Sequence, residues 1–429
     1  MQSDVCLDGG HRGRATRLDR IAAWMLCALL AAYSFVIGDY SFVSIRIVSG
    51  LLFLSAAAYL AVSWKRQLHF NLPVLCPFLM CLYGIGQTIW SDQKIVQNGL
   101  GKSLFWLAAG MVALLASQVW RKWRMAEQLR QAIAMIGSFE ALLSILEQAS
   151  HTGKYFWIFD SGFPDVYGTF AYYNNFSQFI ELTLPITLWE GVRHREIRLP
   201  YLVLSALQVG AVVACSSRAG AILVLVELVL VLFLAWFKKS SSVSLPVIGL
   251  AVVLSAGFTF VAGFHQVIEK LERPDQLSSR RLINQSSLHM IEARPLTGWG
   301  LGSYVPVYKM FALYDDSTWV NQAHNDYLEW AAEGGIPYAL IMVVLIVWSV
   351  RPAFRSVWGI GLLAFCLHAL VDYPFARLGT CGWYFGLAAM LATQGSGDAG
   401  GHRRRRSNSR RRDESTGSEI EHARLAAAN

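Results

Sequence analysis

The chain has 429 residues, of which 54% are hydrophobic and only 15% charged, and its mean hydropathy is +0.39. A soluble globular domain keeps about a quarter of its residues charged, so the composition excludes an ordinary water-soluble protein and makes lipid the solvent. The formal net charge of +8 then becomes a question of which side of a membrane the cations occupy.

Residues 1–20 carry the basic stretch HRGRATRLDR and no apolar period. Nine apolar runs follow, at about 21–37, 42–63, 71–90, 102–119, 128–147, 170–190, 199–216, 219–237 and 244–263. Three more lie at about 323–350, 356–372 and 378–394. A helix needs roughly 20 apolar residues to cross the hydrocarbon core. Backbone groups in lipid must be satisfied within the segment, so the twelve runs are predicted as transmembrane helices. The first run is short, and the sixth carries Glu181 and Pro185. The alternating ten-residue strands of a membrane barrel are missing. The basic start resembles a secretory signal, but eleven further spans favour a retained anchor.

Lys and Arg in the loops orient such a bundle. One side holds Lys65, Arg66, Arg121, Lys122, Arg124, Arg193, Arg195, Arg198, Lys238, Lys239, Arg351 and Arg355, and the tail adds HRRRRSNSRRR. Short loops on the other side hold Lys94, Lys154, Arg218 and Arg377. The alternation persists across all twelve spans and places both termini in the cytoplasm. Five segments result: a cytoplasmic N-terminus at 1–20, spans one to nine over 21–263, an outer loop domain at 264–322, spans ten to twelve over 323–394, and a tail at 395–429. The tail is rich in Gly, Ser and Arg and is predicted disordered. Its arginines suit anionic lipid headgroups or RNA; a topology and solubility role is the plainer reading, and no nucleic-acid partner is expected. The seven cysteines sit mostly inside spans with no metal spacing.

Two outer loops are long, at about 148–169 and 264–322. Within the second, SSRRLINQSSLHMIEA reads as a helix stopped by RPLTGWGLGSY. Several polar residues stand out at this outer side. Arg218, in ACSSRAG, is an ionisable group near membrane depth, where function is the default reading and a snorkelling anchor the bland one. Arg280 and Arg281 head the loop helix against its dipole, which suits a phosphate partner as well as plain solvation. Asp372 and Arg377, in VDYPFARLG, read as a mutual ion pair. His324, in Ala-His-Asn, is a helix cap or a base, because an imidazole titrating near neutrality can take a proton from a hydroxyl. Asp326 is near enough in sequence to support it. Asp326, Glu329 and Glu333 fall on differing helix faces, and Tyr327 and Trp330 fit an interfacial belt. NGLGKS lacks the first glycine of a phosphate-binding loop, with Val96 in its place. No second histidine follows His324 at zinc spacing, and there is no GxSxG elbow.

SSRAG, then SRRLINQSSLHMIEARPLTGWGLGSY, then AHNDYLEWAAEGGIP, in that order, resemble the O-antigen ligase and O-antigen polymerase family. VYGTFAYYNNFSQFIELTLP and LVDYPF extend the resemblance over about residues 160–380. The resemblance implies a GT-C-like, all-α polytopic glycosyltransferase of the bacterial inner membrane. It would take a glycan from undecaprenyl diphosphate on the periplasmic face and pass it to lipid A–core or to another lipid-linked glycan, without metal or cofactor. Residue by residue, Arg218 takes the family's junction arginine and Arg280, with Arg281 second, its loop arginine. His324 takes the histidine of the His-Asn motif. Asn325 and Asp326 would orient the histidine or the sugar, and Arg377 is a further phosphate candidate, with Asp372 in support. Tyr338 stands where the ligase pattern wants a glycine, so ligase and polymerase both stay open. A secondary transporter is the rival of another class, since twelve spans with both ends inside is a common transporter layout; no internal repeat supports it. A non-catalytic assembly partner is a further rival, and it would tolerate loss of His324.

Overall fold

The computed structural model describes residues 15–35, 42–90, 96–120, 123–237, 244–271, 276–313, 320–354 and 356–393. Outside them lie most of the N-terminus with Cys6, the basic tail, and the loop cations Lys94, Arg121, Lys122, Lys238, Lys239 and Arg355; the Arg124 side chain is also not described.

The protein is a nearly all-α polytopic membrane protein. Its first five helices are α1 (Arg17–Phe35), α2 (Phe42–Val62), α3 (Leu72–Trp90), α4 (Val96–Val119) and α5 (Trp123–Ser150). A two-stranded hairpin, β1 (Lys154–Tyr155) and β2 (Phe159–Asp160), leads into α6 (Tyr173–Arg193), α7 (Arg198–Ala214), α8 (Arg218–Phe237) and α9 (Leu245–Leu271). The long loop forms α10 (Gln276–Ala293) and α11 (Tyr304–Phe311), and the chain ends in α12 (Asp326–Ala353), α13 (Val357–His368) and α14 (Leu378–Thr393). Each of the twelve apolar runs coincides with a helix. Six are long and apolar enough to cross a membrane by length and composition, in α2, α3, α4, α5, α8 and α12; α7, α9, α13 and α14 contain shorter apolar helices. The expected loop helix is α10. Helix α11 and the hairpin were not expected.

The sixth run is the most polar because it lies at the centre of the bundle. Seventeen of the twenty-one residues of α6 are buried, against α5, α7, α8 and α13. A helix enclosed by protein can carry polar groups if they are paired. Glu190 accepts from Arg130 Nε at 2.6 Å, and Glu181 meets His368 Nδ1 at 2.6 Å. Gln208 of α7 donates to Thr187 and to Ser138, both at 3.0 Å. By contrast α8 turns its one carboxylate, Glu227, inward and exposes Ile222, Val229 and Phe233, the pattern of a helix that meets lipid on its outer side.

Helix α12 is two helices meeting at Gly335, whose backbone (φ 76°, ψ 172°) only glycine adopts readily. The break frees backbone groups, and the segment after α10 satisfies them. Trp299 N donates to Ala332 O at 3.0 Å, Gly300 N to Glu333 O at 2.8 Å, and Ile336 N to Pro295 O at 2.8 Å. Gln87 of α3 completes the junction by donating to Thr297 O (2.6 Å) and Glu333 O (2.8 Å) and accepting from Leu301 N (3.1 Å). A Cβ on Gly298 would collide with the Glu333 carbonyl, and one on Gly335 with the Leu296 carbonyl. The GWG and GG motifs are therefore two halves of one interlock.

Candidate functional site

The site forms at one end of the bundle, where four chain segments converge on the turn that links α13 to α14. His324 precedes α12 in the left-handed region (φ 50°). That conformation swings the chain so that the next residue, Asn325, caps the helix. Asn325 Oδ1 accepts from Tyr327 N (3.1 Å) and Leu328 N (3.2 Å), a contact worth about 1 kcal/mol. The turn leaves the imidazole facing Asp372, with Nδ1 3.3 Å from Asp372 Oδ1.

Asp372 lies beyond the end of α13, outside the helices, and is almost wholly buried. Its Oδ1 also accepts from Tyr373 N at 3.0 Å. Its Oδ2 accepts from Asn174 Nδ2 and lies 3.7 Å from Arg280 Nη2. Arg280 donates in addition to Val371 O at 2.8 Å. Burial by itself would raise the Asp372 carboxyl, but the hydrogen bond and charge of His324, then Arg280 and His368, outweigh it and hold it below the usual carboxylate range. An ionised carboxylate only accepts, so Nδ1 is the donor of this contact in either protonation state, and in the neutral imidazole Nε2 is the nitrogen left to accept a proton.

Arg218 opens α8. The residue two before it, Ser216, takes a left-handed conformation (φ 58°). Ser217 then donates to Asn174 Oδ1 at 2.8 Å and accepts from Gly220 N at 3.2 Å. A Cβ at Gly220 would run into Ser177, whose hydroxyl lies 3.0 Å from that of Ser217. These contacts explain the S-S-R-A-G spacing: Ser216 makes the turn out of α7 and bonds back to Ala214 O, Ser217 ties α8 to α6, and the glycine lets the helices approach. Arg218, Arg280 and Asp372 all lie within electrostatic reach of the Tyr173 hydroxyl at the head of α6. Hence Arg218, Arg280, His324 and Asp372, up to 154 positions apart in the sequence, share one neighbourhood.

Other expected site residues sit elsewhere. Asn325 caps α12 rather than orienting the histidine. Asp326 accepts from Phe375 N at 3.0 Å, and its own N–H donates to Ala369 O at 3.0 Å. It fastens α12 to the α13–α14 turn, and the carboxylate that touches His324 is Asp372. Asp372 pairs with Arg280 and His324, where a mutual pair with Arg377 was expected; the Arg377 guanidinium lies over the Tyr373 ring at 5.8 Å. That same ring is 5.1 Å from His324, so Tyr373 stands between them. Arg281 is exposed, about 100° around α10 from Arg280. Glu333 accepts from Tyr304 N at 3.1 Å and Glu329 from Ala323 N at 3.0 Å, so both carboxylates hold backbone in place. Lys102 lies 3.8 Å from Glu329.

Asn174, Ser217 and Tyr373 belong to the site and were not singled out. The one available signal for Asn174 was an asparagine pair opening a span, in YYNNF.

Residues 202–343 match the family model described as O-antigen ligase. Over that stretch the chain is similar to the O-antigen ligase family. The matched stretch holds Arg218, Arg280, His324 and the glycine interlock. Asn174 and Asp372 fall outside it, at the start of α6 and in the α13–α14 turn. No curated protein matches the chain.

Proposed function

We propose that the protein is a metal-independent glycosyltransferase that moves a glycan from undecaprenyl diphosphate to an acceptor hydroxyl of lipid A–core. In this reading the bundle crosses the bacterial inner membrane twelve times, both termini are cytoplasmic, and the site faces the periplasm. The acceptor oxygen attacks the anomeric carbon, the carbon–phosphate oxygen bond breaks, and its electron pair leaves with the diphosphate. The hydroxyl proton passes to His324 Nε2. In-line attack inverts the anomeric carbon.

The observation that carries the proposal is the shared carboxylate. Asp372 contacts both the candidate base and a candidate phosphate-binding arginine, so one residue sets the spacing between proton acceptor and leaving-group clamp. Arg280 and Arg218 take the diphosphate. Arginine cannot lose its proton and grips phosphate oxygens bidentately, and fixed charges in a partly dry site stabilise a departing anion more than water does. Arg377 serves as an outer phosphate contact.

The test is transfer from lipid-linked glycan by the purified protein. Undiminished transfer by a well-folded His324→Ala variant would sink the catalytic assignment. Tyr338, packed against Tyr83 at 5.3 Å between ring centres where the ligase pattern has a glycine, keeps a second reading: a polymerase that extends lipid-linked glycan. A deletion strain separates the two on a lipopolysaccharide gel. Ligase loss leaves core without long chains, and polymerase loss leaves core bearing a single repeat.

A further inference from the structure

The segment between α5 and α6 takes no part in the chemistry above, yet it is built with care. Strands β1 and β2 pair antiparallel, Tyr155 opposite Phe159. Between them Ile158 N donates to Tyr155 O at 3.0 Å, and the two turn residues, Phe156 (φ 51°) and Trp157 (φ 60°), are both left-handed. Such tight hairpin turns normally use Asn-Gly. Bulky aromatics there are strained. The strain is held from below: Glu147 of α5 accepts from Phe156 N at 2.8 Å, and Tyr155 is buried with Val166 and Ala171. The apex is thus a fixed structure that presents Trp157, Ile158 and Phe159 outward, with Ile158 71% and Phe159 50% exposed.

The direction of that apex can be read from α5. This apolar span exposes Met135, Phe139, Leu142 and Leu146, spaced four, three and four apart along one helix face. On a membrane span an exposed apolar face meets acyl chains. The next step on the same line is Ser150, which is exposed. Trp157 Nε1 donates to Ser150 Oγ at 2.8 Å. The tryptophan therefore continues the lipid-facing line of α5 past the helix end, away from the buried α6.

We propose that the Trp157–Phe159 apex inserts into the interfacial layer of the bilayer on the side that carries the site. Tryptophan suits that layer because its ring is apolar and its N–H keeps a polar partner, here Ser150. The hairpin runs on through Thr169, which Glu140 holds by its N–H (3.0 Å) and hydroxyl (2.9 Å), to Tyr173 and Asn174. A bilayer contact at the apex accordingly sets the height of the head of α6 relative to the lipid surface.

The test uses the full chain in phosphatidylethanolamine–phosphatidylglycerol vesicles. Ile158→Cys and Phe159→Cys are spin-labelled singly, with Glu292→Cys on α10 as an exposed reference. The six described native cysteines are buried, and mock-labelled wild type gives the background. Power saturation then compares collisions with oxygen, which concentrates in lipid, and with a water-soluble nickel chelate. The expected result is an oxygen-to-nickel ratio several-fold above that at Glu292 for both positions. Nickel access equal to that at Glu292 would place the apex in water and overturn the proposal; where the two positions differ, Ile158, the more exposed, decides.

Discussion

Two histidine–carboxylate pairs lie within one turn of chain of each other. In His324–Asp372 the contact is 3.3 Å and the histidine side chain is 29% exposed. In His368–Glu181 the contact is 2.6 Å and neither side chain is exposed at all. The groups are alike, and their surroundings separate their roles. His324 is partly exposed, and its carboxylate partner also faces Arg280. His368 has helices around it: Gly361, two turns before it on α13, packs against the Glu181 carbonyl, so this pair fastens α13 to α6. The inner pair then fixes the turn on which Asp372 stands, because the His368 carbonyl accepts from Asp372 N at 3.0 Å.

That division can be broken by substitution. His324→Ala should have the largest effect on transfer, a loss of about 10²–10⁴-fold, with thermal unfolding close to wild type. Asp372→Asn should cost on the order of 10²-fold, because the charge is lost and the one remaining acceptor oxygen is drawn to the donors Asn174 and Arg280, turning the amide NH2 toward Nδ1; kcat should fall more than donor KM rises. Arg280→Ala should weaken the donor about tenfold in KM, equivalent to ~1.4 kcal/mol, and Arg280→Lys should restore little because the fork geometry is lost. His368→Ala should act on the fold instead. It leaves Glu181 buried without its partner, which costs about 3–5 kcal/mol and lowers the unfolding temperature, while transfer per folded molecule stays within about threefold. The comparison fails if His368→Ala abolishes transfer in protein that melts normally. Arg281→Ala should change transfer less than twofold, since an exposed charge contributes roughly 0–1 kcal/mol; a tenfold loss would reassign the loop arginine.

The helices were legible because lipid demands long uninterrupted apolar runs, and all twelve runs are helices. Arg218, Arg280 and His324 were legible as polar residues out of place at span ends. The pairing among them was not. Sequence proximity points to Asp326, two residues from His324, as the partner, but the left-handed turn at His324 and the cap at Asn325 send its carboxylate to Phe375 instead. Asp372, 48 residues downstream, reaches the imidazole only because α13 packs between α6 and α12. Polarity in the sixth run weakened it as a span in sequence; in the bundle that polarity marks the most enclosed helix. The hairpin was hidden because Phe-Trp is a poor turn sequence, and only burial of its base makes the conformation tolerable.

The interlock of Gly298 with Gly335 has a consequence for anyone transplanting parts of this protein. The two stretches are separated by a whole helix and a loop, yet each occupies space that any side chain on the other would need. They behave as a single component that happens to be encoded in two places. A chimera exchanging only RPLTGWG or only EGGIP with a relative of different turn geometry should assemble badly, whereas one exchanging both should assemble. The head of α12, and His324 with it, would then travel as a cassette with the end of α10.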